Sequence, residues 1–253
     1  MRLADIVLFH LGVIVVALLK HLRKPKIKSI LSAVFLAMPV IIYIIASDNV
    51  IGTAKLQMQT PILVIDAGHG GIDSGALAAD GSKESDINLA IALKLRALAE
   101  LYGLENSMIR QDDSTMSDTD NYSEHRDLVR RTELVNSDPN NVCVSIHQNC
   151  YPTGQPYGSL VIYSSKQESE EFGKIVHENL IMQLNPDNRR IAEPAGDKYY
   201  LLSNAQCPAI LVECGFMSNF SEMEKLKTST YQTSISSVLI ASFLQYIQNS
   251  RYI

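Results

Sequence analysis

Three short apolar runs, each closing on a side chain that can bind a metal or move a proton, constrain this chain more than any other feature. They are PILVIDAGH (61–69), ending at His69; VCVSIH (142–147), ending at His147; and AILVECG (209–215), which contains Glu213. A run of this length that is apolar at successive positions is a strand buried on both faces, and such strands belong to largely parallel sheets covered by helices. Segments with helical spacing lie between them. Residues 86–102 place Ile87, Leu89, Ala90, Ile91, Leu93, Leu95, Leu98 and Leu101 at roughly helical spacing and stop at Gly103. Further helices are expected over 124–137, 167–184, 221–227 and 231–249, with strands near 106–110 and 158–164. The alternation specifies an α/β fold: a single domain over 61–250 with a largely parallel mixed sheet flanked by helices on both faces. In an open sheet of this kind, ligands gather outside the carboxyl ends of the strands. His69, His147 and Glu213 therefore converge if their strands are parallel neighbours.

The first fifty residues are of different material. Ile30–Ser47 is eighteen residues without a charge, about the length that crosses ~30 Å of hydrocarbon. An earlier apolar run, 6–19, is a candidate second span, interfacial segment or part of an extended signal. The basic loop KHLRKPKIK (20–28) between them is expected to stay cytoplasmic by the positive-inside rule, which delivers the later domain outside the membrane. The alternative is a cleaved signal, with small residues at Gly52–Ala54. The reading is thus a membrane anchor or signal region at 1–50, a polar tether at 51–60, and the domain.

Charge follows the same division. Residues 1–60 hold seven Lys/Arg against two Asp/Glu; the remainder holds 15 against 25. A domain this acidic is unsuited to nucleic acid, whose phosphates require clustered cations. Cys143, Cys150, Cys207 and Cys214 form no C-x-x-C pair, which argues against a thiolate zinc site. Cys143 and Cys214 sit within apolar strands and read as small buried hydrophobes.

The stretch DAGHGGIDSG (66–75) sets an imidazole among glycines where a strand ends. The spacing G-x-G-x-x-G of a dinucleotide site is missing, which leaves a metal ligand on a sharply bent backbone as the rival reading. Glu84 lies at the start of the first helix, with Ser85 or Asp86 as expected N-cap. Taken alone, Glu84 is an acid that complements a helix dipole, and a lone histidine is a core residue more often than a ligand. Two histidines at strand ends and one carboxylate, however, make the His₂Glu set of catalytic zinc. His125 and His177 fall on expected polar helix faces and receive no role.

Four segments, DAGHGGIDSGA, ESDINLAIALKL, VSIHQN and LVECGFMSN, in that order, closely resemble the zinc-dependent N-acetylmuramoyl-L-alanine amidases of the Amidase_3 type. The resemblance covers about 61–250. It implies zinc (Zn2+) ligands at His69, Glu84 and His147 and a catalytic glutamate at Glu213. The implied reaction is cleavage of the amide between N-acetylmuramic acid and L-alanine in peptidoglycan. A zinc-activated water attacks, and Glu213 takes its proton and passes it to the leaving amine. On this view the glycines around His69 let a bulky glycopeptide approach. Arg110 and the R-x-x-x-x-N string at Arg131–Asn136 also match, without an assigned role. Two positions depart from the family: Ser85 stands where lysine is common, and Phe220 where proline is usual. A compact domain behind an N-terminal anchor is similar to the spore-cortex, germination-specific members; a general wall or cell-separation role is the alternative. The loop YPTGQPY after His147 is too short for a helix that blocks the site, and no wall-binding repeat follows. Regulation is therefore expected from an accessory activator protein. Two other readings stay open: a non-catalytic peptidoglycan-binding or muropeptide-sensing module, and a zinc carboxypeptidase acting on stem peptides.

Overall fold

The computed structural model describes residues 61–117 and 119–249. The anchor or signal region expected at 1–50 and the tether at 51–60 lie outside these residues. Among the described residues no helix is long and apolar enough to cross a membrane. Six strands form one sheet: β1 (Ile62–Ala67), β2 (Asn106–Met108), β3 (Asn141–Asn149), β4 (Leu160–Tyr163), β5 (Glu193–Pro194) and β6 (Ala209–Phe216), in the order β2-β1-β3-β6-β4-β5. β1, β3 and β6 are parallel neighbours, as the convergence of their ends requires; β4 runs antiparallel to its neighbour β6. The helices are α1 (Glu84–Leu101), α2 (Glu124–Val135), α3 (Gln167–Leu184), α4 (Tyr200–Asn204), α5 (Phe220–Leu226) and α6 (Ser229–Asn249).

The period of two in each strand sorts side chains between two layers. Val142, Val144 and Ile146 of β3 enter the larger core, with Ile91 and Leu95 of α1, Phe172 of α3 and Phe243 of α6. The Phe172 ring lies 4.8 Å from Tyr246 and 6.2 Å from Phe243, an aromatic cluster that joins α3 to α6. Cys143 of β3 faces the other way, into a smaller core with Val135 of α2, Leu202 of α4 and Leu211 of β6. Ser145 and His147 follow Cys143 at alternate positions, as Glu213 follows Leu211. Register then places Asp66 beside Ser145 and His147 beside Glu213. A slip of one residue would send this whole set into the apolar layer. The four cysteines are free, and Cys143, Cys207 and Cys214 are buried.

Several expectations need correction. The first helix begins at Glu84, with Lys83 at its cap position and no side-chain cap. The amides of Glu84 and Ser85 instead donate to the carbonyls of Ala76 and Ser74, so the loop satisfies the donors that a cap would have taken. His177 is buried, its Nε2 3.0 Å from the Arg190 carbonyl. The polar, acidic run 111–125, whose composition reads as a solvated loop, is tied to the domain. Met116 and Ser117 donate their amides to Asp127, and Asp113 accepts from Gly71. Within 185–208, where no element was expected, lie β5 and α4, too short to show a period.

A candidate metal centre at the strand ends

His69 leaves β1 with φ 62°, the left-handed region that non-glycine residues avoid, and Gly70 and Gly71 follow at φ 131° and 58°. Two buried arginines hold this turn. Arg110 donates to the carbonyls of Ala67 at 2.8 Å and Gly68 at 3.0 Å. Arg131 donates to Ala67 at 2.9 Å and to His69 at 2.7 Å. These contacts supply the role that sequence reasoning left blank for both. Asp66 and Asp127 in turn clamp Arg131 at 2.6 and 2.5 Å, and Ser145 donates to the second oxygen of Asp66 at 2.6 Å.

The ring orientations follow from their neighbours. Asp73 lies 2.7 Å from His69 Nδ1, which turns Nε2 toward Glu84 Oε1 at 3.4 Å. The other imidazole, His147, rests against Gly68, where a β-carbon would sit 2.2 Å from the ring, and its Nδ1 points at the same Glu84 oxygen at 3.0 Å. Gly75 is required twice: its φ is 63°, and a β-carbon would lie 2.6 Å from Glu84 Oε2. Beside the room for substrate expected of the glycines, two of them have a nearer cause. Gly68 and Gly75 make room for the three site side chains themselves.

Glu84 is buried and fully engaged. Gln148 N donates to Oε1 at 3.0 Å and Ala76 N to Oε2 at 2.9 Å. Burial works against its charge, yet the His147 and His69 contacts hold its carboxyl well below the usual carboxylate range. For His69, burial opposes protonation but the bonds to Asp73 and Glu84 prevail, and its pKa is pushed up to about 10. A cation must therefore compete with a proton there.

The donor set fits a small divalent ion. The ligand atoms of His69, Glu84 and His147 lie within 4.8 Å of one another, and the His69 and His147 rings meet edge to face at 4.9 Å. Tetrahedral bonds of about 2.0–2.2 Å set neighbouring ligand atoms about 3.3–3.5 Å apart, against the 3.4 and 3.0 Å seen to Glu84. Glu213 completes the arrangement. Its Oε2 is buried with no hydrogen-bond partner among the described residues. Burial raises its pKa, against the opposing fields of His147 and Lys198. A cavity of about 270 Å³ brings His69, His147, Glu213 and Asp66 together under a wall made by Lys198, Tyr199 and Tyr200. Sequence reasoning named both histidines and both glutamates and missed Asp66, Asp73 and this wall.

A largely parallel α/β sheet with a His–Glu–His cluster at its carboxyl edge, and an unpaired carboxylate on the adjoining strand, is the layout of a metal-assisted hydrolase. Similarity to known proteins narrows the class. The profile of the N-acetylmuramoyl-L-alanine amidase family matches residues 63–244, and the chain belongs to this family. The germination-specific N-acetylmuramoyl-L-alanine amidase of Bacillus subtilis is 31% identical over 199 residues, covering 76% of this chain and 82% of that protein. The structure of the CwlD amidase from Clostridioides difficile, in complex with the GerS lipoprotein, superimposes with a TM-score of 0.71 at 36% identity, covering 75% of this chain and all of that one. The amidase AmiC2 of Nostoc punctiforme gives 0.65 at 26% identity, over 75% and 98% of the two chains.

Proposed function

We propose that this protein hydrolyses the amide between N-acetylmuramic acid and L-alanine in peptidoglycan, with zinc held by His69, Glu84 and His147 and with Glu213 as the proton carrier. The observation that supports this reading best is the register of β3 and β6, which sets His147 beside Glu213 on the face open to the cavity. Bound zinc would supply a Lewis acid that polarises the scissile carbonyl and activates water. The rest falls to the protein. Asp73 fixes His69 in one orientation, Glu84 and His147 are set by the α1 and β3 backbones, and Arg110 and Arg131 keep the His69 turn from relaxing. Burial raises the basicity of the Glu213 carboxylate, and it accepts the nucleophile's proton and returns it to the leaving amine.

The likeness to a germination-specific amidase supports a role in the spore cortex. The structure of CwlD with a lipoprotein supports an accessory protein for this chain too. The uncharged run 30–47 and the basic loop 20–28 support an anchor that leaves the domain outside the membrane, in the wall or the space around a forespore. Protease added to intact protoplasts should then digest the domain, and full protection would defeat that topology. The test of activity is direct. Zinc-loaded protein incubated with intact peptidoglycan should release peptides with a free L-alanine amino group, read by mass spectrometry. New carboxyl ends within the stems would make it a carboxypeptidase instead, and no new ends a binding module. Full turnover without any added protein would dispense with the accessory partner.

A further inference from the structure

The cavity holds two cations of very different standing. Arg131 is buried and already engaged by the carboxylates of Asp66 and Asp127. Lys198 stands in the same cavity wall, exposed, and makes no ion pair among the described residues. Its ammonium rests 4.7 Å above the Tyr199 ring, which holds the side chain in place without neutralising it. Its field also reaches Glu213, where it favours the charged form. Among the remaining acids of the lining, Glu124 is exposed at the start of α2 and makes no ion pair among the described residues, while the other two are engaged. Asp73 binds His69 and the Gly75 amide, and Asp127 binds Arg131 together with the amides of Met116 and Ser117. Lys198 is thus the cationic group in the cavity still free to meet a substrate anion.

The chemistry of the substrate says where such an anion lies. In the amide to be cut, the lactyl carboxyl of the sugar is consumed by the bond, and its amino group is acetylated, so the glycan half carries no charge. Free carboxylates sit only on the peptide half. We infer that Lys198, braced on Tyr199, receives a stem-peptide carboxylate just beyond the scissile amide. Substrate then lies across the cavity with its peptide toward α4 and its glycan toward the opposite rim. This rests on the amidase reading and adds direction and charge preference to it. The contact exists equally in the bound substrate and in the transition state, so its loss should weaken binding and spare the chemical step.

The experiment compares the zinc-loaded full chain with Lys198→Met and Lys198→Glu on two soluble glycan fragments. These are identical except that the carboxyl of the second stem residue is free in one and amidated in the other. On the free acid, Lys198→Met should raise KM by about twofold to fivefold, the range of an exposed charge pair, with kcat within about twofold. Lys198→Glu should raise it further. On the amidated fragment Lys198→Met and Lys198→Glu should leave KM at the parent's value, and the parent itself should prefer the acid, less so as salt is raised. Equal losses on both fragments, or none on either, would overturn the proposal while leaving the amidase reading intact. Absence of cleavage of both fragments by the parent would overturn that reading, and this proposal with it.

Discussion

Glu213→Gln should lower turnover by about 10²–10⁴-fold, the usual contribution of general acid–base catalysis, while zinc stays near one per chain. The amide keeps the size of the carboxyl but cannot accept a proton. The position tolerates it because Glu213 Oε2 has no protein hydrogen bond to lose among the described residues. His147→Ala should behave in the opposite sense. It removes one of three clustered donors, leaves Glu84 Oε1 with fewer partners, and opens a void against Gly68. Metal should then be lost or weakly held, and activity with it. Elemental analysis and release of peptide from peptidoglycan, measured on the same preparations, separate the two behaviours. Zinc loss in Glu213→Gln would make Glu213 a ligand and reopen the assignment of Glu84. Unchanged turnover would mean that the carboxyl is only a buried strand-end acid.

The strands that bear the site were legible because each is an uninterrupted apolar run, and its polar terminus stands out against that background. Their parallel register could be inferred only conditionally, since adjacency of β1, β3 and β6 depends on pairings such as Ile62 with Asn141 and Cys143 with Ala209, far apart in sequence. Glu84 was harder. An acid at a helix start has a sufficient local explanation, and only the two histidines raised it above that. What stayed hidden has two physical causes. Asp73 and Lys198 lie in irregular segments, where no period marks a side chain as facing inward. Arg110 and Arg131 act through backbone carbonyls, which every residue has, so no sequence pattern announces the partner. One signal was available. Asp66 is a charge inside a buried strand, and a buried charge demands a counter-charge somewhere in the chain. Following that demand would have led to Arg131.

Arg131→Ala should destabilise the fold more than any of the substitutions above, costing about 3–5 kcal/mol, the usual result of removing one partner from a buried ion pair. Two carboxylates, Asp66 and Asp127, would be left without their cation, the His69 carbonyl would lose its Arg131 donor, and the Ala67 carbonyl would keep only Arg110. Against a typical total of about 5–15 kcal/mol this is a large share. For a domain of this size it corresponds to a fall in Tm of roughly 6–20 °C. Unfolding should be measured with a chelator present, so that metal binding does not enter the comparison. Acid gives a second reading of the same pair. Burial alone would raise the Asp66 pKa, but Arg131, with Ser145 and His147, holds it below its ordinary value. A depressed folded pKa contributes stability that is complete above the unfolded value of about 3.9 and is lost as pH falls through the folded one. Asp66→Asn should therefore be much less stable than the parent at pH 7, with the gap closing below about pH 4. Arg131→Lys tests geometry apart from charge. A single ammonium cannot span two carboxylates and two carbonyls as the guanidinium does, so it should recover part of the stability yet still bind zinc weakly, because the His69 turn has lost its brace. Stability within about 1 kcal/mol of the parent in Arg131→Ala, or parental zinc affinity in Arg131→Lys, would show that the turn is held by something other than this arginine.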